Sequence, residues 1–197
     1  MSRSPDYNAA HHISPQTATD AYLRPNFTAH NRRRRFLWSV VYTLLFRYSP
    51  RPMHAWRAAL LRAFGATIGP NPKIYPRAKI WAPWNLICAD LVAIADGAEI
   101  YNPSPITLGS HCILSQDSFL CGASHDYDDP AFPLIAFSMS IGAYAWVCAR
   151  ASVAPGVNLA EGSVLALGSV ATRDLEPWSI YAGVPAVKIK SRQRTQP

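Results

Sequence analysis

The stretch Ile141–Glu176 divides into sixes: IGAYAW, VCARAS, VAPGVN, LAEGSV, LALGSV, ATRDLE. The first residues of these hexads are Ile, Val, Val, Leu, Leu and Ala; the fifth are Ala, Ala, Val, Ser, Ser and Leu. A helix repeats about every 3.6 residues and a strand every two, so neither generates a period of six. Six suits a solenoid of short parallel strands, each coil made of three flat faces joined by tight corners. One aliphatic side chain points inward on each face. A small residue sits inside near each corner, where a large one would not fit.

The pattern extends back to Ile68. Hexads start at Ile68, Ile74, Ile80, Leu86, Ile94, Ile100, Leu108, Leu114, Leu120, Ile141, Val147, Val153, Leu159, Leu165 and Ala171. Fourteen of these fifteen are Ile, Leu or Val, and the fifth position is Ala, Ser or Cys in ten of fifteen. Trp84 and Asp90 weaken the early hexads. The register slips by two residues before Ile94 and again before Leu108, and Asp126–Ser140 interrupts the ladder. Fifteen hexads make about five coils of about 18 residues, a stack that buries one continuous apolar column and needs its ends covered.

The chain ahead of the ladder supplies one cover. Residues 1–25 are polar, carry Pro5, Pro15 and Pro25, and predict an arm with little structure of its own. Residues 26–66 read as helical. Arg32–Arg35 lead into FLWSVVYTLLFRYS, in which Phe36, Leu37, Val40, Val41, Leu44, Leu45 and Tyr48 form one helical stripe. Trp38, Tyr42 and Phe46 fall off it, so the helix is apolar almost all round. Arginines at a helix N-terminus oppose the macrodipole, so their placement needs another reason. One reading of 32–48 is a helix lying in an anionic membrane surface. The other is packing on the domain or a neighbouring subunit, with the arginines solvated. A second helix is expected from Pro52, with Trp56, Leu60, Leu61 and Phe64 buried and Gly65 as its C-cap. It can cover one end of the stack, and the tail from Pro177 the other.

The 197 residues and 49% hydrophobic content bound one domain with extensions. The net charge of +7 implies an anionic partner: phosphate groups, a membrane surface or nucleic acid. The opening MSRSPDYNAAHHIS holds no apolar leader region. The longest apolar stretch, Phe36–Phe46, is shorter than the about 20 residues of a spanning helix. Cys88, Cys112, Cys121 and Cys148 lack metal-type spacing and read as core filler, reduced in the cytoplasm.

Hexads of the form aliphatic-Gly/Ala-x-x-small-x resemble the hexapeptide-repeat acyltransferases, and the resemblance covers about 68–190. It implies a left-handed parallel β-helix over 67–190 with a loop at 126–140, N-terminal α-helices and a short C-terminal extension whose last residues, 191–197, form a basic tail. Handedness comes from the resemblance alone; the general crossover rule favours a right-handed coil. CGASHDYDDPAF at Cys121–Phe132, WSIYAGVPAVKI at 178–189, and LLFRYSPRPMHAWRAALLRAFGATIG look like the colanic acid biosynthesis acetyltransferases, near the galactoside, maltose and nodulation acetyltransferases.

The resemblance implies an O-acetyltransferase moving an acetyl group from acetyl-CoA to a sugar or lipid-linked saccharide hydroxyl, without metal, as a cytoplasmic homotrimer. Such a reaction needs a base for the hydroxyl proton, donors for the oxyanion and a groove for the pantetheine arm. His125, at the mouth of the long loop, is the expected base. Asp126, Asp128 or Asp129 would orient its ring or contact the sugar. Asn102 is a candidate sugar contact, with a turn asparagine as the alternative. Trp146 would lie beside the acetyl-CoA arm or on an outer wall between subunits. Ala149, Ala166 and Gly168 match positions whose backbone lines the pantetheine groove. Thr172 and Arg173 follow on the last coil, with Arg173 a candidate for a CoA phosphate. Gly183, Pro185 and the intervening Val184 match a turn near the adenine, and Lys188, Lys190, Arg192 and Arg194 suit the 3′-phosphate.

Three rivals have weaker support. A zinc enzyme of this fold needs three protein ligands, and the ladder offers only His111 and His125, out of step with an 18-residue coil. A non-catalytic β-helix scaffold would leave the His125 loop and the CoA-side motifs unexplained. Nucleic-acid binding finds no readable module.

Overall fold

The structure, a computed structural model, describes residues 11–12 and 26–193. The expected arm over 1–25 lies outside the described residues apart from His11–His12, as does the end of the basic tail from Arg194. From Ile68 the chain winds as a three-faced solenoid of parallel strands. The first face stacks Thr67–Ile68, Leu86–Cys88, Ile106–Leu108 and Met139–Ile141, continued by single bridges at Leu159 and Leu175. The second stacks Lys73–Ile74, Ala93–Ile94, Ile113–Leu114, Trp146–Val147, Val164–Leu165 and Ser179–Gly183. The third stacks Lys79–Ile80, Glu99–Tyr101, Phe119–Cys121, Ser152–Val153 and Val170–Ala171. A final antiparallel strand, Ala186–Ser191, pairs back on Ser179–Gly183 and closes the second face.

The inward column is the one the hexads describe. Ile74, Ile94, Leu114, Val147 and Leu165 align on the second face and are buried. The small fifth residues Ala78, Ala98, Cys112, Ala145, Ala151 and Ser163 have no exposed surface. One register assignment is corrected. Ile68 pairs with Cys88, not Leu86, and Cys88 with Leu108. The extra two residues of that coil lie before Cys88, in a short 3-10 turn at Pro83–Asn85. Trp84 therefore belongs to an outward insertion, and the small inner position is Val92 rather than Asp90.

The corners impose a backbone conformation that side chains usually avoid. Asn71, Leu91, His111, Tyr144, Gly162 and Trp178 all have positive φ at the corner between first and second faces. There the amides of Leu91, His111, Tyr144, Gly162 and Trp178 donate to carbonyls of the preceding coil. Left-handed backbone costs a non-glycine residue about 1–2 kcal/mol, and these inter-coil hydrogen bonds offset part of it.

Helix α1 (Ala29–Val41) runs on through a π-helical turn at Tyr42–Phe46, and helix α2 (His54–Ala63) follows. Together they cap the first coil. Most of the apolar stripe read from the sequence faces outward. Trp38 and Phe46 are buried, while Phe36, Leu37, Val40, Leu44, Leu45 and Tyr48 are exposed. The reason is chemical fit. Trp38 donates Nε1–H to the Ile80 carbonyl at 2.7 Å, at the open end of the coil, and its ring meets Tyr42, Phe46 and Phe64. No aliphatic side chain could satisfy that carbonyl. The arginines also lie inside the helix, not ahead of it, because Thr28 caps it by accepting from the Asn31 amide. Arg34 lies over Trp84 and donates to the Phe64 carbonyl, and Arg35 lies 4.0 Å from the Trp81 ring centroid.

In α2, Leu61 is buried as expected but Trp56 is not; the fully buried large side chain is Arg57. Its guanidinium donates to the carbonyls of Ile74, Pro50 and Arg51 and to Ser49 Oγ. Desolvation lowers its pKa, opposed by the negative charge of Asp96. Gly65 follows the helix with φ +94°, the left-handed stop expected of it.

Candidate active site

His125 is delivered by the third face. After Phe119–Cys121 the chain leaves the ladder, and Ala123–His125 pairs antiparallel with Leu134–Ala136, which pairs in turn with His11–His12. Gly122 permits the departure: a Cβ there would lie 2.4 Å from the Tyr101 carbonyl oxygen. The loop between the strands is built on its own side chains. The Asp126 carboxylate accepts from the Asp128 amide, the Asp129 carboxylate accepts from the Ala131 amide, and the Asp126 amide donates to the Pro133 carbonyl.

This loop carries Phe132 into positive φ and sets its carbonyl 2.8 Å from His125 Nδ1. The two rings stack with centroids 4.8 Å apart. A carbonyl oxygen only accepts, so Nδ1 holds the proton and Nε2 of the neutral ring keeps a lone pair. The ring is therefore oriented by a backbone carbonyl, not by Asp126, Asp128 or Asp129. Asp126 and Asp129 shape the loop, and Asp128 stands exposed on it.

The proposed cofactor residues divide between the two edges of the third face. At the edge where its strands begin, Trp146 is part-exposed and donates Nε1–H to Ser115 Oγ at 2.8 Å. Ala149 and Gly168 are adjacent there, the Gly168 amide donating to the Ala149 carbonyl at 3.0 Å. Gly168 has φ +66°, and a Cβ built on it would meet nothing within 4 Å, so the backbone faces open space. The Ala166 amide is taken by the Tyr181 carbonyl. The Gly183 amide donates to Ser169 Oγ, which ties the Gly183–Pro185 turn beside this edge. At the opposite edge, where the strands end, come the His125 loop and the exposed Thr172 and Arg173. Arg173 has no ion pair among the described residues, whereas Lys188 is held at 2.6 Å by Glu176. One chain thus keeps His125 and the Trp146–Gly168 edge apart, with the strands of the third face between them.

Asn102 lies inside. Its Oδ1 accepts from the Ala82 amide and its Nδ2 donates to the Ala82 carbonyl, and it has no exposed surface. It straps two coils together at their insertions, a role neither the sugar-contact nor the turn reading gave it. Sequence reasoning missed Ser115 and Phe132. Neither carries a readable signal, because one acts through a neighbour 31 residues away in sequence and the other through its backbone. Among the described residues no group of three His, Cys, Asp or Glu side chains could hold a metal ion.

Comparison with known proteins defines the class. The fold matches a maltose O-acetyltransferase from Clostridium difficile 630 with a TM-score of 0.77 at 18% identity, over 85% of this chain and 90% of that one. It matches a hexapeptide-repeat acetyltransferase from Vibrio cholerae, solved with acetyl-coenzyme A, with a TM-score of 0.75 at 24% identity, over 85% and 91%. The architecture is the left-handed parallel β-helix of these hexapeptide-repeat acetyltransferases. In sequence the chain is 38% identical over 160 residues to the provisionally named colanic acid biosynthesis acetyltransferase WcaF of Escherichia coli K12, covering 81% of this chain and 88% of that protein. The chain therefore belongs to the family of the colanic acid biosynthesis acetyltransferases. No protein-family model matches it.

Proposed function

We propose that this protein moves the acetyl group of acetyl-CoA to a hydroxyl of a sugar or an exopolysaccharide repeat-unit precursor, with His125 as general base. The observation that carries the reading is the His125–Phe132 pair, which holds the proton on Nδ1 and leaves Nε2 as the nitrogen that can accept one. Nε2 takes the hydroxyl proton as the oxygen attacks the thioester carbonyl. The tetrahedral oxyanion collapses, the carbon–sulfur bond breaks, and the imidazolium returns the proton to the departing thiolate. No covalent enzyme intermediate is needed when both substrates are bound together.

The division of the site between two edges supports a homotrimer in which the His125 loop of one copy meets the Trp146, Ala149 and Gly168 edge of another. The outward residues of the second face support a contact there: Ala93, Ile113, Trp146 and Ile180 lie along one apolar strip, with the buried Val164 in register between Trp146 and Ile180. Arg173, without an ion pair among the described residues, is the better candidate for a CoA phosphate, and Lys188 would have to leave Glu176 to serve. The reaction is assigned to the cytoplasm, where acetyl-CoA is made, and a lipid-linked saccharide is the favoured form of the acceptor.

Calorimetry of acetyl-CoA with the full chain tests this. Binding at micromolar to low-millimolar concentration, weakened by Arg173→Ala, is expected, followed by acetyl transfer in an acceptor screen with His125→Ala as the inactive control. A folded protein that binds neither acetyl-CoA nor CoA would make the β-helix a scaffold.

A further inference from the structure

The capping helices carry a surface that the acetyl-transfer reading does not use. Six large apolar side chains of α1, its π-helical extension and the turn that follows face outward: Phe36, Leu37, Val40, Leu44, Leu45 and Tyr48, three of them more than 60% exposed. They were free to pack inward, yet Trp38 and Phe46 take the interior. Exposed Arg33 and Arg47 flank this stripe at either end. Trp56, fixed by its Nε1–H to the Leu45 carbonyl at 3.1 Å, and Met53 widen it, both part-exposed. Between Asp20 and Asp90 the chain holds ten arginines, two lysines and no Asp or Glu.

We infer that this face of α1 docks on an anionic phospholipid bilayer, lying in the headgroup layer without crossing it. The chemistry is that of an interfacial helix: aliphatic and aromatic side chains to enter the acyl boundary, and arginines to meet phosphates. No helix among the described residues is long and apolar enough to span. Charge selects the bilayer over the same face of a second copy. Two such faces pressed together would set Arg33 and Arg47 against their own images, with no carboxylate on either helix to pair them. The third coil, which bears the His125 loop, stands two strand spacings from the first, about 10 Å. A bilayer at the capped end would therefore lie close to the site of transfer.

Flotation of the full chain with vesicles of phosphatidylcholine alone, and with 30% phosphatidylglycerol, tests the inference. Floating with the anionic vesicles only is expected, weakened in 0.5 M sodium chloride. Phe36→Asp/Leu44→Asp should lower partitioning at least ten-fold. Arg33→Glu/Arg47→Glu should lower it by a similar factor, since each arginine near such a surface contributes roughly five-fold. Acetyl-CoA binding measured on the same samples reports folding and separates this result from the donor reading. No flotation with anionic vesicles, or flotation indifferent to Phe36→Asp/Leu44→Asp, overturns the inference. Loss of oligomer mass in that variant, with no lipid binding by the unaltered chain, would instead assign the face to contact between copies.

Discussion

His125 lies flat against Phe132, with Nδ1 bonded to the Phe132 carbonyl at 2.8 Å. Both halves of the contact depend on the loop between them. The Asp126 and Asp129 carboxylates bind amides two residues on, and the turn they set puts Phe132 at φ +47° with its carbonyl turned back on the imidazole. Seven residues separate the pair in sequence, and the loop converts that separation into a fixed tautomer.

His125→Ala should lower kcat about 10²- to 10⁴-fold, the range for loss of a general base, with acetyl-CoA affinity nearly unchanged. Steady-state rates and calorimetry on the same protein check it. An equal loss of donor affinity would move His125 out of the chemistry and into the groove.

Two glycines with nearly the same φ should respond to different degrees. At Gly162 a Cβ would sit 2.4 Å from the Trp178 ring, so Gly162→Ala should cost about 1–3 kcal/mol on top of the backbone strain at its positive φ and lower the melting temperature. Gly168 faces open space, so Gly168→Ala should cost only about 1 kcal/mol of backbone strain. Gly168→Phe should then weaken acetyl-CoA binding at least ten-fold without unfolding the coil. Thermal melts and calorimetry separate the two positions, and unchanged binding in Gly168→Phe would take that edge out of the groove.

Arg57→Met keeps much of the volume and removes four hydrogen-bonding contacts with Ser49, Pro50, Arg51 and Ile74. The stranded carbonyls should destabilise the fold by about 2–4 kcal/mol. A lower urea midpoint measures this. A midpoint equal to the parent's would mean that water replaces the guanidinium without loss.

Burial pushes the Cys88 thiol up to about 12 and raises Cys112 further. Both therefore stay in the thiol form near neutral pH, and both side chains are shielded. Cys121 and Cys148 are part-exposed, with smaller upward shifts from burial. A disulfide reagent should label Cys121 and Cys148 in the native protein, and Cys88 and Cys112 only on unfolding. Mass spectrometry of the labelled chain reads this directly, and rapid native labelling of Cys88 would contradict the buried column.

The hexads determine the fold because the period of six is local. Each inward aliphatic and each small fifth residue reports its own position, so Ile74, Ile94, Leu114, Val147 and Leu165 align from the spacing of the sequence alone. Tertiary structure decided the rest. Cys88 took the ladder position from Leu86 because the two extra residues of that coil formed an outward turn at Pro83–Asn85, and both side chains are apolar enough for either role. The α1 segment is apolar on every side, so hydrophobicity could not choose which side goes in. An unsatisfied Ile80 carbonyl at the coil end chose the indole of Trp38. Asn102 has the chemistry of a sugar contact, but Ala82 takes both atoms of its amide, a partner 20 residues away in sequence and one coil away in space. His125 stands out by its motif, yet the group that orients it is a backbone carbonyl, and side-chain identity carries no record of where a carbonyl points.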